Sequence, residues 1–130
     1  MGATHTKMKF FIENCNPLPK PRMTGKDFWK KSAKAYWSYL DILVLNIKKA
    51  RQKTTTKECE LRVWFYRQGN KRADIDNLCK SILEAVERAE LVKNDNQIMR
   101  LEAELRYNNP KPFLVFELKE LPSNWNEKNL

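Results

Sequence analysis

The sequence predicts an α/β fold, a two-layer mixed sheet with helices packed on one face, in the order βαβαββ. Three observations lead there. Short segments alternate apolar and polar residues, two longer ones repeat apolar residues every three or four positions, and the two kinds interleave. A chain of 130 residues also buries roughly two thirds of the surface its unfolded form exposes, which suits one hydrophobic core and one domain over 1–130.

Residues 7–13 (KMKFFIE) set Met8, Phe10 and Ile12 on one face and Lys7, Lys9 and Glu13 on the other, the pattern of a half-buried strand. Three prolines between Asn14 and Gly25 forbid helix, so Lys20 and Arg22 fall in an extended, solvated loop. Thr24 suits an N-cap with Asp27 three residues on, and from there to about Lys53 the residues Trp29, Ala33, Tyr36, Trp37, Leu40, Leu43, Val44 and Ile47 form the apolar stripe of a long helix. Residues 58–66 alternate through Cys59, Leu61, Val63 and Phe65 as a second strand. The polar run Arg67 to Arg72, with Gly69 inside it, is a loop. Ile75, Leu78, Ile82, Val86 and Ala89 then mark a second amphipathic helix over about 75–90. After a turn at Lys93 to Asn96, the apolar series from Met99 to Tyr107 alternates strictly with Arg100, Glu102, Glu104 and Arg106. Asn108 to Pro112 turns into Phe113–Leu118, expected to pair with the preceding strand as an antiparallel hairpin. About 120–130, including Trp125, is expected to be a loose tail.

Charge narrows the partners. The 25 Lys and Arg outweigh 16 Asp and Glu, for a net charge of +9 and a pI near 9.6. A small protein so basic is drawn to polyanions, of which nucleic acid is the commonest. A membrane is the weaker partner, because the longest apolar run, Ile42 to Leu45, falls far short of the roughly 20 residues needed to span a bilayer. The first residues lack the apolar stretch and cleavage site of a signal peptide. Cys15, Cys59 and Cys79 are odd in number and form no CxxC pair, so neither a disulfide framework nor a zinc site is expected, and the compartment is a reducing cytoplasm.

Against that basic background the run Arg72-Ala73-Asp74-Ile75-Asp76-Asn77-Leu78-Cys79-Lys80 stands out. Two carboxylates two residues apart sit at the mouth of a helix, behind cations. Magnesium takes one or two such carboxylates together with waters and substrate phosphate oxygens. Asp95, in the turn after the second helix, is a third candidate that only tertiary structure can bring near. Lys80, one turn beyond Asp76, is suited to a phosphate. A purely structural account exists for each: Asp74 as N-cap, Asp76 and Lys80 as dipole and ion-pair partners, and Asp95 as a turn residue.

The pattern Asp74-Ile75-Asp76-Asn77-Leu78-x-Lys80, a short helix, and then Asn94-Asp95-Asn96-Gln97-Ile98 resembles the core signature of the RusA family of Holliday-junction resolvases, often encoded by phages and prophages. The basic loop Lys20-Pro21-Arg22 adds to the resemblance. It implies that Asp74, Asp76 and Asp95 bind catalytic magnesium, with manganese able to substitute, and that Lys80 assists at the phosphate. It further implies a homodimer that resolves four-way DNA junctions by paired nicks in recombination and repair. Asn77 matches the motif and suits a structural hydrogen bond at the helix start. Lys20, Arg22, Arg67, Lys71 and Arg72 are candidates for DNA backbone contacts. Asn94 replaces the first acid of the family's usual pair, Glu84 replaces a common Asp, and the glycine usual after the second helix is missing around Ala89-Glu90. The alternatives are a non-catalytic protein of this fold that binds branched DNA, and a basic structural protein whose carboxylates are only caps.

Overall fold

A computed structural model describes residues 7–21, 31–50 and 53–127. The elements are β1 (Lys7–Glu13), α1 (Lys31–Ala50), β2 (Cys59–Tyr66), α2 (Ile75–Arg88), β3 (Ile98–Arg106) and β4 (Phe113–Glu120), with 3-10 turns at Asp95–Gln97 and Trp125–Glu127. The order βαβαββ is the one the hydrophobic periodicity requires. Arg22, Thr24, Asp27 and Trp29 lie outside the described residues, so the start of the first helix is not assigned.

The four strands form one mixed sheet ordered β1-β4-β2-β3. β4 runs antiparallel to both β1 and β2, and β3 runs parallel to β2. This corrects the expected hairpin: β3 and β4 are not neighbours, because β2 lies between them. A parallel partner needs a long crossover, which α2 supplies between β2 and β3, while the proline-containing 107–112 segment carries the chain past β2 to its far side.

One sheet face carries Phe10, Ile12, Leu61, Val63, Leu114 and Phe116, all at most 5% exposed, and it meets Tyr36, Leu40, Leu43 and Ile47 of α1 and Leu78, Ile82 and Val86 of α2. Both helices therefore cover the same face. The other face presents charged pairs, among them Lys7 with Glu117 and Arg62 with Glu102. The segment after β4 is held as far as Asn126: Leu121 N donates to Glu58 O, and the Trp125 indole and the Asn126 amide donate to the Glu58 carboxylate at 3.2 and 3.1 Å. Trp125 is thus a peg that closes the end of β4 against the start of β2.

Candidate active site

The loop that delivers Asp74 to its position is built from within. Arg67 is only 6% exposed, and its guanidinium donates to Lys71 O at 2.7 Å. That makes it a scaffold of the loop, with little exposed surface to offer a DNA backbone. Tyr107, just past β3, clasps the loop's end: its hydroxyl accepts from Ala73 N at 3.2 Å and donates to Ala73 O at 3.3 Å. The Arg72 guanidinium lies 4.6 Å from the centre of the same ring. The bond with the Ala73 backbone, aided by the neighbouring Arg72, holds the Tyr107 hydroxyl below its ordinary pKa. The exposed Lys71 and Arg72 flank the carboxylates that follow.

Asp74 occupies the N-cap position of α2, but its side chain caps nothing. The carboxylate instead accepts from Asn77 Nδ2 at 3.4 Å, and Asn77 Oδ1 accepts from Lys80 Nζ at 3.2 Å. Asn77 is the bridge at the helix start, fixing Asp74 and Lys80 relative to each other. Asp76, exposed in the first turn, makes no side-chain hydrogen bond or ion pair among the described residues. The ion pairs that would explain these groups away do not form. Glu84 is taken by Arg88 at 3.0 Å, by Lys20 at 3.4 Å and by the Tyr36 hydroxyl at 2.9 Å, not by Lys80. Lys20 also donates its backbone N–H to Asn77 O at 3.3 Å, which brings the first basic loop beside the N-terminal half of α2.

Asp95 lies elsewhere. Its backbone N–H donates to the Glu87 carboxylate at 2.8 Å, next to the last turn of α2. The eleven residues from Asp76 to Glu87 rise about 16 Å along the helix. Within one chain, therefore, Asp74 and Asp76 are brought together and Asp95 is not, and among the described residues no three acids converge on a cation.

The turn around Asp95 has its own clamp. Asn94 and Gln97 form a capping box, the Asn94 side chain accepting from Asn96 N at 2.9 Å. Gln97 Oε1 accepts from the backbone N–H of Lys93 and Asn94, and its Nε2 donates to Thr55 O and Lys57 O. Thr55 is fixed in turn, bridging to Val92 and donating its hydroxyl to the buried Glu120. The positioning roles of Gln97, Glu87 and Tyr107 were not read from the sequence. Only Gln97 carried a local signal, since Asn-x-x-Gln is a capping-box spacing.

Two carboxylates with few or no protein partners, a lysine tied beside them, exposed cations before them and helix N–H groups under them form a donor set for a hard cation and a phosphate. That set lies at the carboxyl end of a parallel strand, where open α/β sheets bind ligands. The class it defines is an enzyme that cleaves phosphodiesters in a polyanion. Residues 15–118 match the family model described as endodeoxyribonuclease RusA. The chain belongs to that family: it is a RusA-family Holliday-junction endodeoxyribonuclease, a DNA-cleaving enzyme of a generally metal-dependent kind. A search of curated proteins gave no match. No helix among the described residues is long and apolar enough to cross a membrane.

Proposed function

We propose that this protein is a magnesium-dependent, structure-selective endonuclease that resolves four-way DNA junctions by paired nicks, acting as a homodimer. The observation that carries this reading is the position of Asp74 and Asp76 at the N-terminus of α2, uncommitted to cap or ion pair, with Lys80 held one turn away through Asn77. Their donor chemistry fits magnesium, which needs no more than one or two protein carboxylates when substrate phosphate completes its shell. Bound there, with manganese as a substitute, it would supply Lewis-acid polarisation of the phosphate and an activated water. The chain's own groups do the rest. The N–H groups of the first turn receive a phosphate oxygen, Lys80 offsets charge developing on it, and Lys20, Arg22, Lys71 and Arg72 hold the backbone on either side.

The separation of Asp95 from Asp76 in one chain supports a further element of this reading: Asp95 serves the centre of the second copy, so each of two centres draws on both chains. Paired nicks in opposing strands require two centres related by symmetry, which a two-fold dimer supplies. The shared core and the three free, buried cysteines are in keeping with a single-domain protein of the reducing cytoplasm.

Mixing inactive variants tests the arrangement. Asp76→Asn and Asp95→Asn should each bind a synthetic four-way junction without cutting it. After subunit exchange, the mixed dimer holds one intact centre if the carboxylates act across copies and none if they act within a chain. Recovery of nicking in magnesium is the expected result. No recovery despite subunit exchange and junction binding would refute the shared centre. Wild-type binding without cleavage in magnesium or manganese would leave the non-catalytic alternative, and equal affinity for linear duplex would remove the junction as substrate.

A further inference from the structure

The open face of the sheet has two unlike halves. Far from the 67–72 loop it is a lattice of charges, with Lys7 on Glu117 and Arg62 on Glu102. Beside that loop it is aromatic. Strand alternation turns Phe11 of β1, Phe113 of β4 and Tyr66 of β2 away from the helices, since their neighbours Phe10, Ile12, Leu114 and Phe65 are buried. The three rings form an unbroken row across three strands: the Phe11 and Phe113 centroids lie 5.1 Å apart, and Phe113 stacks on Tyr66 at 4.2 Å and 14°. Half-buried Trp64 stands behind Tyr66 on the same face. The core does not use Phe11, which is 54% exposed. A cavity of about 280 Å³ opens between Phe11, Phe113 and Lys111, near the lower bound of roughly 300 Å³ for small-ligand sites.

We infer that this row of rings is a stacking platform for the unpaired bases of a DNA strand. The inference rests on the reading of the chain as a DNA-cutting enzyme and adds a physical source for its selectivity toward branched DNA. The patch is made of rings, with Val115 as its aliphatic member, and every nucleobase has a face that stacks on a ring whatever its sequence. Exposed cations border it: Lys9 two residues before Phe11, Lys111 in the cavity wall, and Arg106 in register beside Tyr66. Of the acids there, Glu104 is already held by Arg106 at 3.1 Å. Glu13, in the cavity wall, is an acceptor of the kind that reads the amino group of a base.

Continuity with the catalytic loop selects DNA as the occupant. Tyr66 immediately precedes Arg67, and the loop that begins there ends at Asp74. Contacts tie that loop to the rim of the platform: Gln68 N donates to Asn16 Oδ1 at 2.9 Å, and Arg67 N donates to Arg106 O at 2.9 Å. The rings and the carboxylates thus share one end of the sheet, on opposite faces, with the exposed Lys71 and Arg72 between them. A strand held by its phosphates at the start of α2 crosses this end over the two cations, and its bases then meet the rings. A linear duplex keeps its base faces covered by stacking and must be opened, at a cost of a few kcal/mol per base, to use them. A branch point offers bases for which that cost is already reduced.

The test is equilibrium binding of the full chain to a fluorescent oligothymidine strand and to a hairpin duplex, in EDTA at one salt concentration, with circular dichroism to show that each variant folds. Phe11→Ala should weaken oligothymidine binding about tenfold, the loss of one stacked base, and leave duplex affinity unchanged. Phe11→Trp should retain the wild-type value, and Ile42→Ala, exposed on α1, should change neither affinity. Independently of any variant, a strand carrying 5-iodouracil and irradiated on wild type should crosslink to Phe11, Tyr66 or Phe113, read by mass spectrometry. Unchanged oligothymidine affinity in Phe11→Ala, an equal loss for duplex, or crosslinks confined to other residues, in a protein whose wild type cuts DNA, would overturn the platform and leave the enzyme reading standing. A Phe11→Ala variant that binds oligothymidine normally but sediments as a smaller species would assign the rings to a second copy and likewise overturn it. A wild type that neither binds nor cuts DNA would overturn the enzyme reading and the platform with it.

Discussion

Gln97 offers the sharpest test of how the Asp95 turn is held. Its amide makes four hydrogen bonds, accepting from Lys93 N and Asn94 N at 2.9 Å each and donating to Thr55 O at 3.1 Å and Lys57 O at 2.9 Å. A hydrogen bond contributes about 0.5–1.5 kcal/mol net, and three of these four are exposed, where water replaces a lost partner at small cost. Gln97→Ala should therefore destabilise by about 2 kcal/mol. Gln97→Glu keeps both acceptor contacts but points a carboxylate oxygen at two carbonyls, so it should lose at least as much. Urea denaturation at one fixed protein concentration measures this, the fixed concentration removing the linkage to dimer formation. Manganese binding followed by electron paramagnetic resonance supplies the functional readout. An Asp95 no longer held by its turn should weaken metal affinity roughly tenfold, the lower end of the effect of losing a group that orients a ligand, while junction affinity in metal-free buffer stays unchanged. A Gln97→Ala loss below 0.5 kcal/mol, or a Gln97→Glu variant as stable as wild type, would refute the clamp.

Three further outcomes follow from the same structure. Glu90 takes φ of 58° at the position after the α2 C-cap, where Leu91 N reaches Val86 O and Glu90 N reaches Glu87 O, so Glu90→Gly should stabilise by about 0.5–1 kcal/mol, seen as a higher unfolding temperature. Lys71→Ala and Arg72→Ala should each reduce the slope of log junction affinity against log salt by about one, whereas Arg67→Ala should leave that slope nearly unchanged and lower stability, because its guanidinium holds the loop and not the DNA. Burial raises the Cys15, Cys59 and Cys79 thiols from 9.0 to about 11. Since the folded pKa is the higher one, their contribution is complete below pH about 9 and is lost as pH rises toward 11. Urea midpoints should fall across that window, and replacing Cys15 with Ala should reduce the fall.

Periodicity was enough to read every described strand and helix, because Phe10 and Ile12, or Leu78 and Ile82, record which face is buried. It could not tell which strands pair. The series Met99 to Tyr107 alternates equally well beside either neighbour, and only the crossover through α2 shows that β3 lies parallel to β2. The site divided in the same way. Asp74, Asp76, Asn77 and Lys80 are local in sequence and local in space, so their spacing carried the information. A cation in a polar loop reads as solvated, whereas the use of Arg67 as an internal strut depends on Lys71 O and on the strand beside it. Tyr107 and Glu87 act over distances that no local pattern encodes.

The crossover that defeats the hairpin also divides the acids. A parallel β2-α2-β3 unit must return the chain to the starting edge of the sheet, so residues before α2 and residues after it are separated by the helix's length, about 21 Å for 14 residues. Those two ends also differ electrostatically. The N-terminus that carries Asp74 and Asp76 attracts phosphate and repels a cation, while the C-terminal end beside Asp95 does the reverse. A lone chain thus offers a cation two carboxylates at the unfavourable pole of α2 and a third at the favourable pole, too far away to share. A dimer in which Asp95 of one copy serves the centre of the other, as proposed above, puts opposite poles together. The cation then gains Asp95 and the negative end of one helix, while the phosphate keeps the positive end of the other. On this account, dilution to a folded monomer should abolish cleavage while leaving both halves of the donor set in each chain. A folded monomer that still cuts junctions would show that a single chain suffices and that the separation of Asp95 has another meaning.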